Sequence, residues 1–184
     1  VQNCTASGNE VGIRLSSSAS NIISSNHIQG NSRGIRCDNS LGNTVKDNEV
    51  LDNDGTAISL DDSDGNLITS NTVQSNRSGI NLWDSYDNTI ESNLVTQNEY
   101  GGVSIDYSRG NLIYRNTISE NGDYGIVMYS AEDNTIHHNN FVDNKYNAGS
   151  LSSSTNTWNS PEEITYTYEG YTYANYLGNY WSDF

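Results

Sequence analysis

The chain has 184 residues, of which 33 % are apolar and 17 % charged, and it carries a formal net charge of −15. The length suits one domain of ordinary size, and the acidity excludes a phosphate backbone as a favoured partner, so no nucleic acid is expected. Two cysteines are too few for a disulfide framework or a zinc site, and no apolar run is long enough for a membrane span.

The chain opens VQNCTASGNE, without a basic start or an apolar stretch. A mature secreted protein or an excised fragment is expected to look like this. Val1 falls in phase with Ile23 and Cys4 with Asn26, so the chain starts part-way through a repeat. An open first coil of this kind is expected to stack on copies of itself or on neighbouring β-helix coils.

From there the repeat is plain. Asn21, Asn43, Asn66, Asn88, Asn111, Asn134 and Asn156 are spaced by 22, 23, 22, 23, 23 and 22 residues. A second ladder, Asn26 to Asn139, follows five residues later, and a third, Asn31 to Asn144, five further on. Aliphatic columns keep the same register, as in Ile68, Val73, Ile80 and Leu82 of one repeat. Apolar residues alternate in runs of a few positions, which is the period of a strand and excludes helices. The pattern therefore predicts an all-β, single-stranded right-handed parallel β-helix of about seven coils, with three short strands per coil. The ladder asparagines are expected at the corners, adopting left-handed backbone angles and bonding their equivalents above and below. A glycine column (Gly12, Gly34, Gly79, Gly102 and Gly125, with Ala57 once) is expected to turn another corner.

The repeat degrades after Asn144, and Pro161 falls where the next ladder asparagine is due. Residues 1–156 are thus read as the β-helix. Residues 157–184 are read as an aromatic-rich capping segment of the same domain, in which alternating Thr and Tyr predict an antiparallel hairpin folded over the last coil.

The N-x-[IV]-x-x-N-x-[IV] unit resembles the repeat of the pectate-lyase-like superfamily of β-helices. The tail NTWNSPEEITYTYEGYTYANYLGNYWSDF is similar to the closing segment of NosD-like surface and secreted domains of methanogenic archaea. That resemblance implies an exported protein. It leaves copper binding and catalysis open, since the superfamily includes lyases, hydrolases, adhesins and binding proteins.

Two outward columns follow the fourth aliphatic column. They read Ser16, Asp38, Asp61, Trp83, Asp106, Tyr129 and Ser17, Asn39, Asp62, Asp84, Tyr107, Ser130. With Tyr86 nearby, the residues Asp61, Trp83, Asp84, Tyr86, Asp106, Tyr107 and Tyr129 form a candidate glycan-binding strip: rings stack on pyranose faces and carboxylates accept hydroxyl protons. The plainer alternative is a solvated acidic face. No catalytic set stands out, and Arg109 and Arg115 are the nearest basic residues. The Asp61-Asp62-Ser63-Asp64-Gly65 run lacks the spacing of a calcium loop. His137 and His138, adjacent in a strand, are expected to point to opposite faces or to lie at a corner. No metal and no cofactor is expected. The functional expectation is an extracellular or cell-surface module with a structural, self-assembling or adhesive role, not an enzyme. The alternative is a surface-polysaccharide-binding or polysaccharide-processing protein that uses the strip.

Overall fold

The computed structural model describes residues 1–152 and 154–182. One coil serves for all. From Asn66 the chain forms Leu67–Thr69, turns at Ser70 and Asn71, forms Thr72–Gln74, turns at Ser75 and Asn76, and forms the longer strand Ser78–Trp83. Each strand pairs in parallel with its equivalents one coil above and below, so Val73 lies between Val50 and Val95, and Ile80 between Ile58 and Val103. The three strand types build sheets of six, eight and seven strands. The six-stranded sheet runs from Ile22–Ser24 to Thr135–His137, and the seven-stranded sheet of long strands from Val11–Ser16 to Tyr146–Leu151. The result is a right-handed parallel β-helix of six complete turns flanked by partial ones, slightly fewer than the seven read from the spacing.

The core is the stacked aliphatic columns. Ile68, Val73, Ile80 and Leu82 are at most 1 % exposed. Burying each such side chain contributes roughly 1.5–3 kcal/mol. The ladder asparagines turn inward with them. The Asn71 amide oxygen accepts from the backbone and side-chain nitrogens of Asn48, both at 3.0 Å. Its amide nitrogen donates to Val45 O, Thr69 O and Asn93 Oδ1 at 2.9–3.0 Å. Among the described residues no buried side-chain polar atom lacks a partner, which is what allows so polar a chain to hold an interior. A shorter serine ladder, Ser40, Ser63, Ser85 and Ser108, does the same work at the corner after the long strands.

Two corner expectations are corrected. In the body of the helix the left-handed residue is the one before the ladder asparagine, not the asparagine itself: Gly65 (φ 63°), Ser70 (55°) and Ser75 (56°) in this coil. That division frees the asparagine side chain to point inward. The glycine column does not turn a corner either. It lies where backbones of successive coils approach, so that a Cβ on Gly102 would sit 2.6 Å from Gly125 O and 2.6 Å from an Ile118 methyl. Lack of a side chain, not a left-handed angle, is what the position demands.

The C-terminal segment also differs from expectation. The antiparallel hairpin exists, as Ile164–Tyr168 against Tyr171–Asn175, but it is exposed and does not cover the last coil. The coil leaves its path after Ser160 and resumes at Leu177, where Ser160 N–H donates to Leu177 O at 2.8 Å. Asn179 then takes the ladder place under Asn139, 40 residues on. Pro161 opens an insertion within the coil. The core is plugged by Trp158 and by Trp181, which stacks on Phe141 at 4.6 Å and 11°.

Candidate functional site

The outward face of the seven-stranded sheet carries the predicted strip and divides it. At the corner after the long strands, the backbone enters the left-handed region at Ser17, Asn39, Asp62, Asp84, Tyr107, Ser130 and Ser152. Small or amide-like side chains suit that conformation; a bulky one is disfavoured by about 1–2 kcal/mol. Tyr107, at φ 53°, is the exception. Its ring lies out of the corner between Trp83 and Tyr129, at 4.9 Å and 64° from the first and 5.5 Å and 71° from the second. Edge-to-face geometry of this kind is the favoured one for aromatic pairs. The three rings make a ridge across three coils, exposed by 49 %, 45 % and 39 % for Trp83, Tyr107 and Tyr129.

Beside the ridge lies an open groove of about 640 Å³, lined by Trp83, Asp84, Tyr86, Tyr107, Arg109 and Glu132 among others. Tyr86 donates its hydroxyl to Asp84 and its backbone N–H to Asp64 Oδ1 at 2.8 Å. The Asp84 bond raises the Tyr86 phenol above its ordinary pKa. The Arg109 guanidinium lies 5.2 Å from the centre of the Tyr86 ring. Aromatic faces, acceptors and a cation thus meet in one depression.

Asp61 and Asp106 do not join this group. They face the sheet on the other side of the ridge. Asp61 lies 3.1 Å from Arg36 Nε, and Asp38 is bracketed by Arg14 at 2.7 Å and Arg36 at 2.6 Å. Burial raises the Asp61 carboxyl, and Arg36 pulls it back. Asp106 accepts from Ser104 Oγ at 2.7 Å and Asn81 Nδ2 at 2.9 Å. Burial raises it as well, against those two donors.

Two depressions on this face escaped the sequence. Arg33, Arg36, Ser59, Asp61 and Asn81 line one of about 260 Å³. Ser78, Tyr100, Gly101, Asp123 and Tyr124 line another of about 290 Å³. The second is a notch where Gly101 supplies no side chain. Its signal was the extra residue that separates Asn98 from Gly102, which reads in the sequence as a neutral loop insertion.

The histidines take the second of their two expected places, the corner. His138 has φ 54°, and this left-handed step brings its ring beside that of His137. The two Nδ1 atoms are 2.6 Å apart. His137 is 8 % exposed and stacks on Tyr114 at 5.5 Å and 20°. Burial lowers its pKa first, then His138 and Arg115. Of the cysteines, Cys37 is buried and pushed up to about 12 by desolvation, and Cys4 is exposed with its N–H on Asn26 Oδ1 at 3.0 Å. Asn76, of the sequon Asn76-Arg77-Ser78, is fully engaged in the third ladder.

The family model described as "Periplasmic copper-binding protein (NosD)" matches residues 1–123 and 102–184. No curated protein sequence matches the chain. Among solved structures, the periplasmic alginate epimerase AlgG is similar with a TM-score of 0.76 at 20 % identity, over 84 % of this chain. The enzymatically active domain of bacteriophage CBA120 tailspike protein 2 is similar with a TM-score of 0.72 at 17 % identity, over 80 % of this chain. The chain spans 41 % of the epimerase and 26 % of the tailspike domain, and at these identities the likeness shows the fold. The two family matches together run the length of the chain, and it belongs to the NosD family.

Proposed function

We propose that this NosD-family β-helix is an exported module that binds a polysaccharide along the Trp83–Tyr107–Tyr129 ridge. The observation that carries the reading is Tyr107. Six other coils place Ser, Asn or Asp at its left-handed corner, and only this one accepts the strain of a bulky ring there. The strained ring completes the ridge between its two neighbours. Strain of this kind is informative when it is the observed outlier and function is the inference. Asp84, Arg109 and Glu132 supply bonding groups for sugar hydroxyls beside the ridge. The family description supports export, and the epimerase with the same fold acts on alginate.

The strain gives the test its power. Tyr107→Asn should raise stability by about 0.5–1 kcal/mol, since Asn suits the corner, while weakening binding to polysaccharide at least tenfold, about 1.4 kcal/mol. Trp83→Ala should weaken binding as much without the stability gain. Affinity electrophoresis against alginate and neutral glucans, with thermal melts on the same samples, separates the two effects. Unchanged retardation of both variants would reject the ridge as the site.

A structural or adhesive role is the second reading. The exposed hairpin favours it, because Tyr166 and Tyr173 stack at 5.5 Å on one face of two strands that the body of the protein leaves uncovered.

Copper, named in the family description, needs nitrogen or sulfur donors. Among the described residues no group of three or more His, Cys, Asp or Glu stands together. His27 is bonded to Glu49 and Gln29, and Cys37 and Met128 lie in the core. A four-donor cupric centre does not fit this donor set. His137 and His138 meet through their Nδ1 atoms.

A further inference from the structure

We propose that the polymer taken by the Trp83–Tyr107–Tyr129 ridge carries free amino groups: a polyhexosamine, with neutral glycans bound more weakly and polyuronates turned away. The inference rests on the ridge being the binding site and names the class of its ligand.

The charge beside the rings carries the inference. The groove is lined by two carboxylates, Asp84 and Glu132, and by one cation, Arg109. Asp64 borders it, its Oδ1 accepting from the Tyr86 N–H at 2.8 Å. Asp87 adds a further carboxylate, packed against Gly110 where a side chain would collide with it. The two lining acids have different origins. Asp84 sits at a left-handed corner, φ 46°, where a short polar side chain suits the backbone. Glu132 has no such reason: it is exposed and continues the outward column Asp64, Tyr86, Arg109. Cations are scarce, with eight Lys and Arg in the whole chain. On earlier coils of the same face, Arg14 and Arg36 are already paired with Asp38 and Asp61. Around the ridge the balance is therefore negative, and the rings stand in it.

That balance selects among sugars. Asp84 accepts the Tyr86 hydroxyl and, as a carboxylate, keeps acceptor sites for a ligand. An ammonium donates to Asp84 or Glu132 with full charge on both partners, where a sugar hydroxyl has charge on one. The same ammonium is attracted to the exposed faces of Trp83 and Tyr107. A uronate would bring one carboxylate per sugar beside these acids, with Arg109 alone to receive it, and Arg109 already lies over the Tyr86 ring. At physiological salt the Debye length is about 8 Å, so charges within the groove act on the ligand while those of distant coils are screened. The fold shared with the alginate epimerase does not bring an acidic polymer with it.

The test compares three tetramers by calorimetry at physiological salt, at a pH where the amines are protonated and the carboxylates ionised: a glucosamine tetramer, its N-acetylated form and a mannuronate tetramer. The glucosamine tetramer is expected to bind at least tenfold tighter than the N-acetylated one, and the mannuronate tetramer at least tenfold more weakly than that. Asp84→Asn with Glu132→Gln should shrink the preference for the amine at least threefold, and Arg109→Gln should enlarge it. Glu162→Gln with Glu163→Gln remove the same charge from the exposed insertion, outside the groove, and should leave the preference unchanged. Trp83→Ala and Tyr107→Asn keep the charge and should weaken the glucosamine tetramer at least tenfold, with circular dichroism confirming that both remain folded. No binding by any tetramer, or amine binding that survives both ring variants as mere attraction to an acidic chain, would reject the ridge and its ligand class together. Binding that is lost in the ring variants but is equal for the amine and its N-acetylated form, or tightest for mannuronate, would leave the ridge standing and overturn the class.

Discussion

The middle coils and the last coil are built from the same parts and obey different constraints. Between Asn43 and Asn134 each ladder amide is held from above and below, and the chain returns to register every 22 or 23 residues. In the last coil one corner opens, a hairpin leaves, and the ladder closes 40 residues later at Asn179. The core is indifferent to the detour, because only the return of the backbone to the column matters. Stability in such a rod is local, set by each coil and its neighbours.

That contrast is most sharply broken or upheld by the ladders. Asn71→Ala removes five hydrogen bonds and takes from the buried Asn48 backbone N–H its acceptor. It should cost about 3–5 kcal/mol. Asn179→Ala, part-buried in the last coil, should cost about 1–2 kcal/mol. Urea denaturation at constant m gives both values, and equal losses would mean that the end is no looser than the middle.

The next effect lies within the last coil. Trp181→Ala uncovers Phe141 and should cost about 2–3 kcal/mol, below the loss for a fully buried ring. Replacing residues 161–176 by two glycines should cost less than about 1 kcal/mol, since the ends already meet through Ser160 and Leu177. A hairpin deletion that proves more damaging than Trp181→Ala would show that the hairpin belongs to the cap after all.

The same division explains what could be read beforehand. Interior positions are legible because burial demands the same answer in every coil: Ile68, Ile90 and Ile113 recur at fixed spacing and stack as expected. Corners are less legible. The sequence marks where the chain turns, but which residue takes the left-handed angle follows from inward packing of the asparagine amide, and Ser70 rather than Asn71 takes it. For the histidines the corner was one of two places expected, but that their rings would meet was not legible, since strict alternation fails at a left-handed residue. In the strip, the columns of Trp83 and Tyr107 were correctly placed side by side. The direction taken by Asp61 and Asp106 was not legible, because it depends on Arg36, Asn81 and Ser104, which lie one or two residues back or a full coil away.

Asp106 supplies the smallest effect and the one that separates the two sides of the ridge. Most aspartates in proteins are stabilised as anions, so acid destabilises the fold. Asp106 is the reverse case: burial raises its carboxyl above the ordinary range, and the donors Ser104 and Asn81 only partly compensate. The native state then binds its proton at higher pH than the unfolded chain. The penalty of the buried charge is present at neutral pH and fades as pH falls through the raised value towards 3.8. Asp106→Asn keeps an acceptor for both donors and removes that charge. It should therefore raise stability at pH 7 by roughly half a kcal/mol once solvent screening is allowed for, about 1–2 °C in Tm, and lose the advantage near pH 4. Thermal melts of Asp106→Asn and the unaltered protein across that range would decide it, and parallel curves would mean that Asp106 carries no buried charge on its side of the ridge.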